Sequence, residues 1–110
     1  MDVAVLLDSF GGDREILHEV VGVFLEACPE QLAAVERSVA THDAQGLAAN
    51  AHRLKGAVSI FGAEGATQAA LSLEMAGASG NLGGIDETYH RLEGEISRLE
   101  GDLRRLLAVG

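Results

Sequence analysis

The chain has 110 residues, enough for one domain with its own core and too few for two. Apolar residues make up 47% of it, which excludes disorder, while aromatics are only 4% and Trp is absent, so the core must be built from Leu, Val, Ile and Ala. A net charge of −9, from 17 acidic and 8 basic residues, excludes general nucleic-acid binding and docking on anionic lipid, both of which need a basic surface.

Helical periodicity recurs along the chain, and no alternating strand pattern of useful length interrupts it. A short first helix is predicted over about 2–10, with Val3, Leu6, Leu7 and Phe10 as its apolar side. "GGD" (11–13) ends it, and Asp13 is placed to cap a second helix over about 14–40. The stripe of that helix is Leu17, Val20, Val21, Phe24, Cys28, Leu32, Val35 and Val39, and Pro29 inside it is expected to bend or divide it. "THD" (41–43) is a turn, and Asp43 caps a third helix over about 44–61. Its seam is Leu47, Ala51, Leu54, Val58 and Phe61, with Gly62 as the stop. A fourth, Ala-rich helix covers about 64–78, with Ala66, Ala69, Ala70, Leu73 and Ala76 inward, and "GASGNLGG" (77–84) reads as a flexible turn. A fifth covers about 85–107 on Tyr89, Leu92, Ile96, Leu99, Leu103 and Leu106, with fraying expected at Gly94 and Gly101. The expectation is a single all-α domain over 1–110: an antiparallel four-helix bundle with a short N-terminal capping helix.

One cysteine, Cys28, allows no internal disulfide and no Cys-rich zinc site, which fits a reducing, cytoplasmic setting. No apolar run is long enough to span a bilayer, and the acidic start "MDVAVLLDSF" does not read as a signal peptide.

On the third helix, His52 lies roughly 140° from the seam and is predicted to face solvent. Gln45, Ala48, Gly56 and Ser59 share its side, and Lys55 lies one turn on, at the flank. Ala48, Ala49 and Gly56 leave the imidazole clear of bulk. A mid-helix glycine is locally unfavourable, which points to close approach by a partner. Arg53 and Lys55 invert the charge locally and suit an acidic partner site or a phosphoryl group. The partner-facing set is thus Ala48, Arg53, Gly56 and Ser59.

A neutral imidazole nitrogen is a competent nucleophile toward an activated phosphoryl group, and phosphoryl transfer needs mainly positioning and charge stabilisation. Lys55 is a candidate for the latter. The Gly-rich stretch at 80–84 lacks the Gly-Lys-Ser/Thr ending of a P-loop, and no compact acidic cluster suits Mg²⁺, so the phosphoryl donor and the metal must come from elsewhere. Two plainer readings stand beside this one. A lone helix histidine is most often an ordinary surface residue. A metal or haem bundle has His18, His42, His52 and His90 as candidate ligands, but no pair has the Glu-x-x-His or His-Glu-x-x-His spacing.

"AHRLKGAVSIFGA" (51–63) resembles the signature of histidine-containing phosphotransfer (HPt) domains: Ala-His-x-Leu-Lys-Gly, five residues, then Gly-Ala, here Ala51, His52, Leu54, Lys55, Gly56, Gly62 and Ala63. "FGGDREIL" (10–17), Phe24, Pro29 and "SLE" (72–74) follow the family's order, and the resemblance covers roughly residues 5–107. It implies a four-helix phosphorelay intermediate rather than an enzyme with a kinase or nucleotide site. His52 accepts a phosphoryl group from a receiver-domain phospho-aspartate and passes it to another receiver. Lys55 stabilises phosphoryl charge, and Gly56 permits close docking. The implied partners are response-regulator receiver domains, which supply Mg²⁺, and a hybrid sensor kinase; the chain itself is expected to be a monomer without a cofactor. An adaptor bundle that docks receivers without relaying phosphate is the alternative. Ile60 lies off the seam; a docking contact and a merely tolerated exposed residue are its two readings, and the sequence does not choose between them.

Overall fold

An aspartate opens each of the first three helices. α1 (Val3–Ser9) starts at Asp2, whose carboxylate accepts hydrogen bonds from the N–H groups of Ala4 and Val5. α2 (Arg14–Ala40) starts at Asp13, which accepts from Glu15 and Ile16, and α3 (Ala44–Ser59) at Asp43, which accepts from Gly46. Each carboxylate satisfies donors that a first turn leaves unpaired and meets the positive end of the helix dipole. α4 (Glu64–Ser79) and α5 (Ile85–Val109) complete the chain. The computed structural model describes residues 2–109, and no strand occurs among them.

The four long helices close a bundle: α3 packs on α2 and α4, and α5 packs on α4 and α2. Short turns make successive helices antiparallel. α1 lies over one end, with Leu6 buried beside the α3–α4 turn and Leu99 of α5. The result is a rod of 42 × 19 × 18 Å. The predicted seams of α3 and α5 are buried throughout, and all but Val20 and Leu32 of the α2 stripe is buried, those two packing on the core from its edge. Cys28 is buried as well, and burial, with Glu100 nearby, pushes its thiol up to about 11, so it behaves as an unreactive apolar side chain. Polar ties join the layers: Asn50 of α3 donates to Ser38 Oγ and the Ala34 carbonyl of α2, and the Tyr89 hydroxyl of α5 donates to Glu36 of α2.

Four local expectations change. α2 is not divided at Pro29, which is exposed, and Cys28 and Val35 are buried on either side of it. α5 continues through Gly94 and Gly101, because the fully buried Leu92, Ile96 and Leu103 anchor it on both sides of each glycine. Val3 is 45% exposed rather than inward, so α1 docks mainly through Leu6. The last concerns Gly77, which the sequence places in both the fourth helix (64–78) and the turn (77–84): it belongs to α4, which runs on to Ser79. It is buried in α4 one turn before the left-handed Gly80 that ends the helix. A Cβ built on Gly77 would lie 2.5 Å from the backbone N of Ala48 and 2.6 Å from the carbonyl O of Ala44. The backbones of α3 and α4 therefore touch here, and only glycine fits.

This contact predicts opposite results for one substitution at two places. Gly77→Ala gains helix propensity but forces backbone apart, and is expected to lower unfolding free energy by about 1–3 kcal/mol. A Cβ on Gly56 would meet nothing within 4 Å, so Gly56→Ala should raise it by up to about 1 kcal/mol. Denaturant midpoints of the two variants check both signs.

Candidate functional site

The α3–α4 contact fixes the register of the two helices, and the register brings Glu74 of α4 to His52 and Lys55 of α3. His52 Nδ1 lies 2.8 Å from Glu74 Oε2. Lys55 Nζ lies 2.7 Å from Glu74 Oε1. One carboxylate thus bridges two side chains a helical turn apart, each on its own oxygen. The His52 side chain is 67% exposed, whereas those of Lys55 and Glu74 are only 26% and 23% exposed. The ring stands in solvent on a base that is largely covered.

The partner decides where the imidazole proton sits. The Lys55 ammonium, and after it the hydrogen bond from His52, hold the Glu74 carboxyl below its ordinary value of 4.5, against the opposing effect of burial. Glu74 is therefore ionised at neutral pH and only accepts hydrogen bonds. In the neutral ring, Nδ1 must be the N–H that donates to it, and Nε2 keeps its lone pair on the far edge of the ring. A nitrogen lone pair on the far edge of an exposed ring held by a carboxylate is the arrangement of an oriented nucleophile.

The other residues expected at this face are distributed around it. Gly56 is exposed with open space above it. Arg53 is exposed. Ser59 is exposed too, but its hydroxyl donates to the Gly56 carbonyl at 2.9 Å. Ala48 is only half-exposed, its backbone against Gly77, so it belongs at least as much to helix packing as to the open face. The four histidines do not converge: His42 sits in the α2–α3 turn with φ 54°, and the described residues contain no group of three or more His, Cys, Asp or Glu able to hold a metal ion.

Two features of the site lie outside the residues singled out from sequence. One is Glu74. An antiparallel turn at Gly62 sets residues at equal distances from it opposite each other; His52 is ten before and Glu74 twelve after, so a pairing of the two helices about Gly62 was the available signal. The other is an apolar groove of about 310 Å³ between α2 and the end of α3, lined by Val20, Val23, Ala27, Ala57 and Ile60 among others. Val23 is 66% and Ile60 50% exposed. Ile60 lies about 12 Å along the helix axis and about 80° around it from His52, so the groove flanks the His52 face.

The family model described as the Hpt domain matches residues 19–106. The chain belongs to the Hpt domain family. Membership implies histidine phosphotransfer in two-component phosphorelays, by a phosphocarrier module rather than a kinase, with receiver domains as partners. Comparisons with curated proteins and with solved structures gave no match. Among the described residues, no helix of this Hpt domain is long and apolar enough to cross a membrane.

The Glu74 bridge carries a pH signature. A carboxyl whose folded-state pKa is depressed contributes stability that is present above its unfolded value and is lost as pH falls through the folded value. Wild type is expected to be more stable than Glu74→Gln at neutral pH, and the difference should close as pH falls below the ordinary glutamate range. Urea unfolding of both proteins at a series of pH values measures it.

Proposed function

We propose that this Hpt domain takes a phosphoryl group on Nε2 of His52 from the phospho-aspartate of one receiver and delivers it to the aspartate of a second. The observation that carries the reading is the contact of Nδ1 with Glu74 on a side chain that is 67% exposed, which leaves Nε2 on the far edge of the ring. In the forward step the Nε2 lone pair attacks phosphorus in line with the acyl-phosphate oxygen. The N–P bond forms as the P–O bond breaks, and the electron pair leaves on the receiver's carboxylate. The ring becomes positively charged, and its Nδ1–H already faces the Glu74 carboxylate, which stabilises that charge. Delivery is the reverse: a carboxylate oxygen attacks phosphorus, the N–P bond breaks, and the pair returns to Nε2.

Receivers are expected to bring the Mg²⁺ that neutralises the phosphoryl oxygens, since the donor sits on their side of the interface. Gly56 leaves room for a receiver to bring its phosphoryl group up to the ring, and Arg53 and Ser59 border the approach, with Ala48 at the rim. The apolar groove at Val23 and Ile60 flanks the same face and gives the receiver an apolar footing beside the polar reaction centre. That assigns Ile60 a docking role.

Incubation with a phosphorylated receiver should place acid-labile label on the wild type and none on His52→Gln; label retained by that variant would sink the assignment. A receiver that binds tightly without ever transferring label would indicate the adaptor instead. Gly56→Leu is expected to slow transfer by up to about 100-fold through misplacement of the reacting atoms, with the thermal midpoint nearly unchanged. Ile60→Asp should weaken receiver binding, measured by titration calorimetry, while leaving the bundle folded.

A further inference from the structure

A phosphoryl group on His52 would bring close to two negative charges, at neutral pH, to a chain whose own net charge is −9. A departing receiver takes its Mg²⁺ with it, so the counter-charge for the loaded state must stand on the chain itself. Two cations lie near the ring in sequence. The Lys55 ammonium lies 2.7 Å from Glu74 Oε1 and is only 26% exposed. Arg53 is exposed and forms no ion pair with any described residue. Between the directions of His52 and Arg53 on α3 stand only small residues. At about 100° per residue, Gly56 points about 40° from the histidine and about 60° from the arginine, and Ala49 falls in the same sector. Both are exposed, and a Cβ on Gly56 would meet nothing within 4 Å. Adjacent residues of a helix do not face each other, so the bare imidazole offers Arg53 no contact. A phosphoryl group on Nε2 extends beyond the ring, into space that a guanidinium on a long flexible stem enters from the other side.

We propose that Arg53 holds the phosphoryl group of the loaded carrier: its guanidinium donates hydrogen bonds to the phosphoryl oxygens across the open sector above Ala49 and Gly56. The inference rests on Nε2 of His52 being the phosphoacceptor. Arg53 makes and breaks no covalent bond. The N–P bond forms, the P–O bond of the acyl phosphate breaks and its electron pair leaves on the receiver's carboxylate, after which the guanidinium closes on the group that has arrived. A planar fork of N–H donors matches phosphoryl oxygens better than a point charge does. The contact exists only while His52 is phosphorylated. It therefore stabilises the loaded state alone and draws the transfer equilibrium toward the carrier. A contact with the receiver's surface would act differently. It would change the rates of loading and delivery together and leave the equilibrium between the separated proteins where it was.

The test is the position of that equilibrium. Labelled phospho-receiver, of a kind that keeps its phosphoryl group longer than the exchange takes, is mixed with an equal amount of the protein, dilute enough for the separated species to dominate. The ratio of label on carrier to label on receiver is read when it stops changing. Arg53→Gln should shift the ratio toward the receiver by about two- to fivefold, the scale of an exposed charge pair. Arg53→Lys, which keeps the charge and loses the fork, should fall between the two. Arg91→Gln makes the same change of net charge at an exposed position on α5 and should leave the ratio at its wild-type value. A ratio unchanged in Arg53→Gln, whatever happens to the rates, would make Arg53 a docking contact and overturn the proposal. An equal shift in Arg91→Gln would reduce the effect to net charge and overturn it too. Absence of label from the wild type would bring down the phosphoacceptor reading and this proposal together, whereas label on His52 with an unmoved ratio brings down this proposal alone.

Discussion

At Gly77 the backbones of α3 and α4 come so close that a methyl group would sit 2.5 Å from Ala48 N. Helix packing with a side chain at that point would push the two axes apart and rotate them, because packed interiors respond to added volume by shifting backbone. Three residues before Gly77 is Glu74, and four residues after Ala48 is His52. The closest approach therefore lies one turn from the site, and it sets both the distance and the rotation at which Glu74 meets the imidazole. The small residues of α4, Ala66, Ala69 and Ala70, are buried along the same helix and extend the close packing toward the α3–α4 turn.

On that base the chemistry of the site reduces to one carboxylate with two donors. A bridge between His52 and Lys55 gives the ring a fixed tautomer while two-thirds of its side chain remains open to solvent. Exposure and orientation usually conflict, since an exposed side chain has the rotameric freedom that burial removes. Here the conflict is resolved by burying the partner and leaving the ring out. Gly56, with open space above it, stands on the exposed side of α3 with the ring, and the apolar groove at Val23 and Ile60 lies between α2 and the end of α3; in the proposed reading the receiver docks on both.

The seams of α3 and α5 and the aspartate caps of α2 and α3 were legible because they are local: period 3.6 and a capping side chain act within a turn or two. The exposure of His52 followed from the same periodicity. Glu74 was not legible in that way. It stands in "SLE", on a helix whose own pattern says only that it is off the seam, and its meaning depends on where α4 lies against α3. Gly77 was only half legible for a related reason, since it stands in both the predicted fourth helix and the predicted turn. In "GASGNLGG" it looks like the start of a loop, but its lack of a side chain serves packing between helices, which composition along one segment does not report. Pro29 reads locally as a breaker, yet α2 is not divided there, and Cys28 and Val35 are buried on either side of it. The assignment to histidine phosphotransfer came from the motif around His52 and from the family match over residues 19–106. The bundle alone does not specify it.

The central claim is that Glu74 leaves Nε2 of His52 as the one nitrogen poised to take a phosphoryl group. The most direct measurement is a phosphorus–proton correlation NMR spectrum of the protein after transfer from a phosphorylated receiver, which reports the nitrogen that carries phosphorus. The account predicts phosphorus on Nε2 of His52. Phosphorus on Nδ1 of His52, or on His18, His42 or His90, would contradict it.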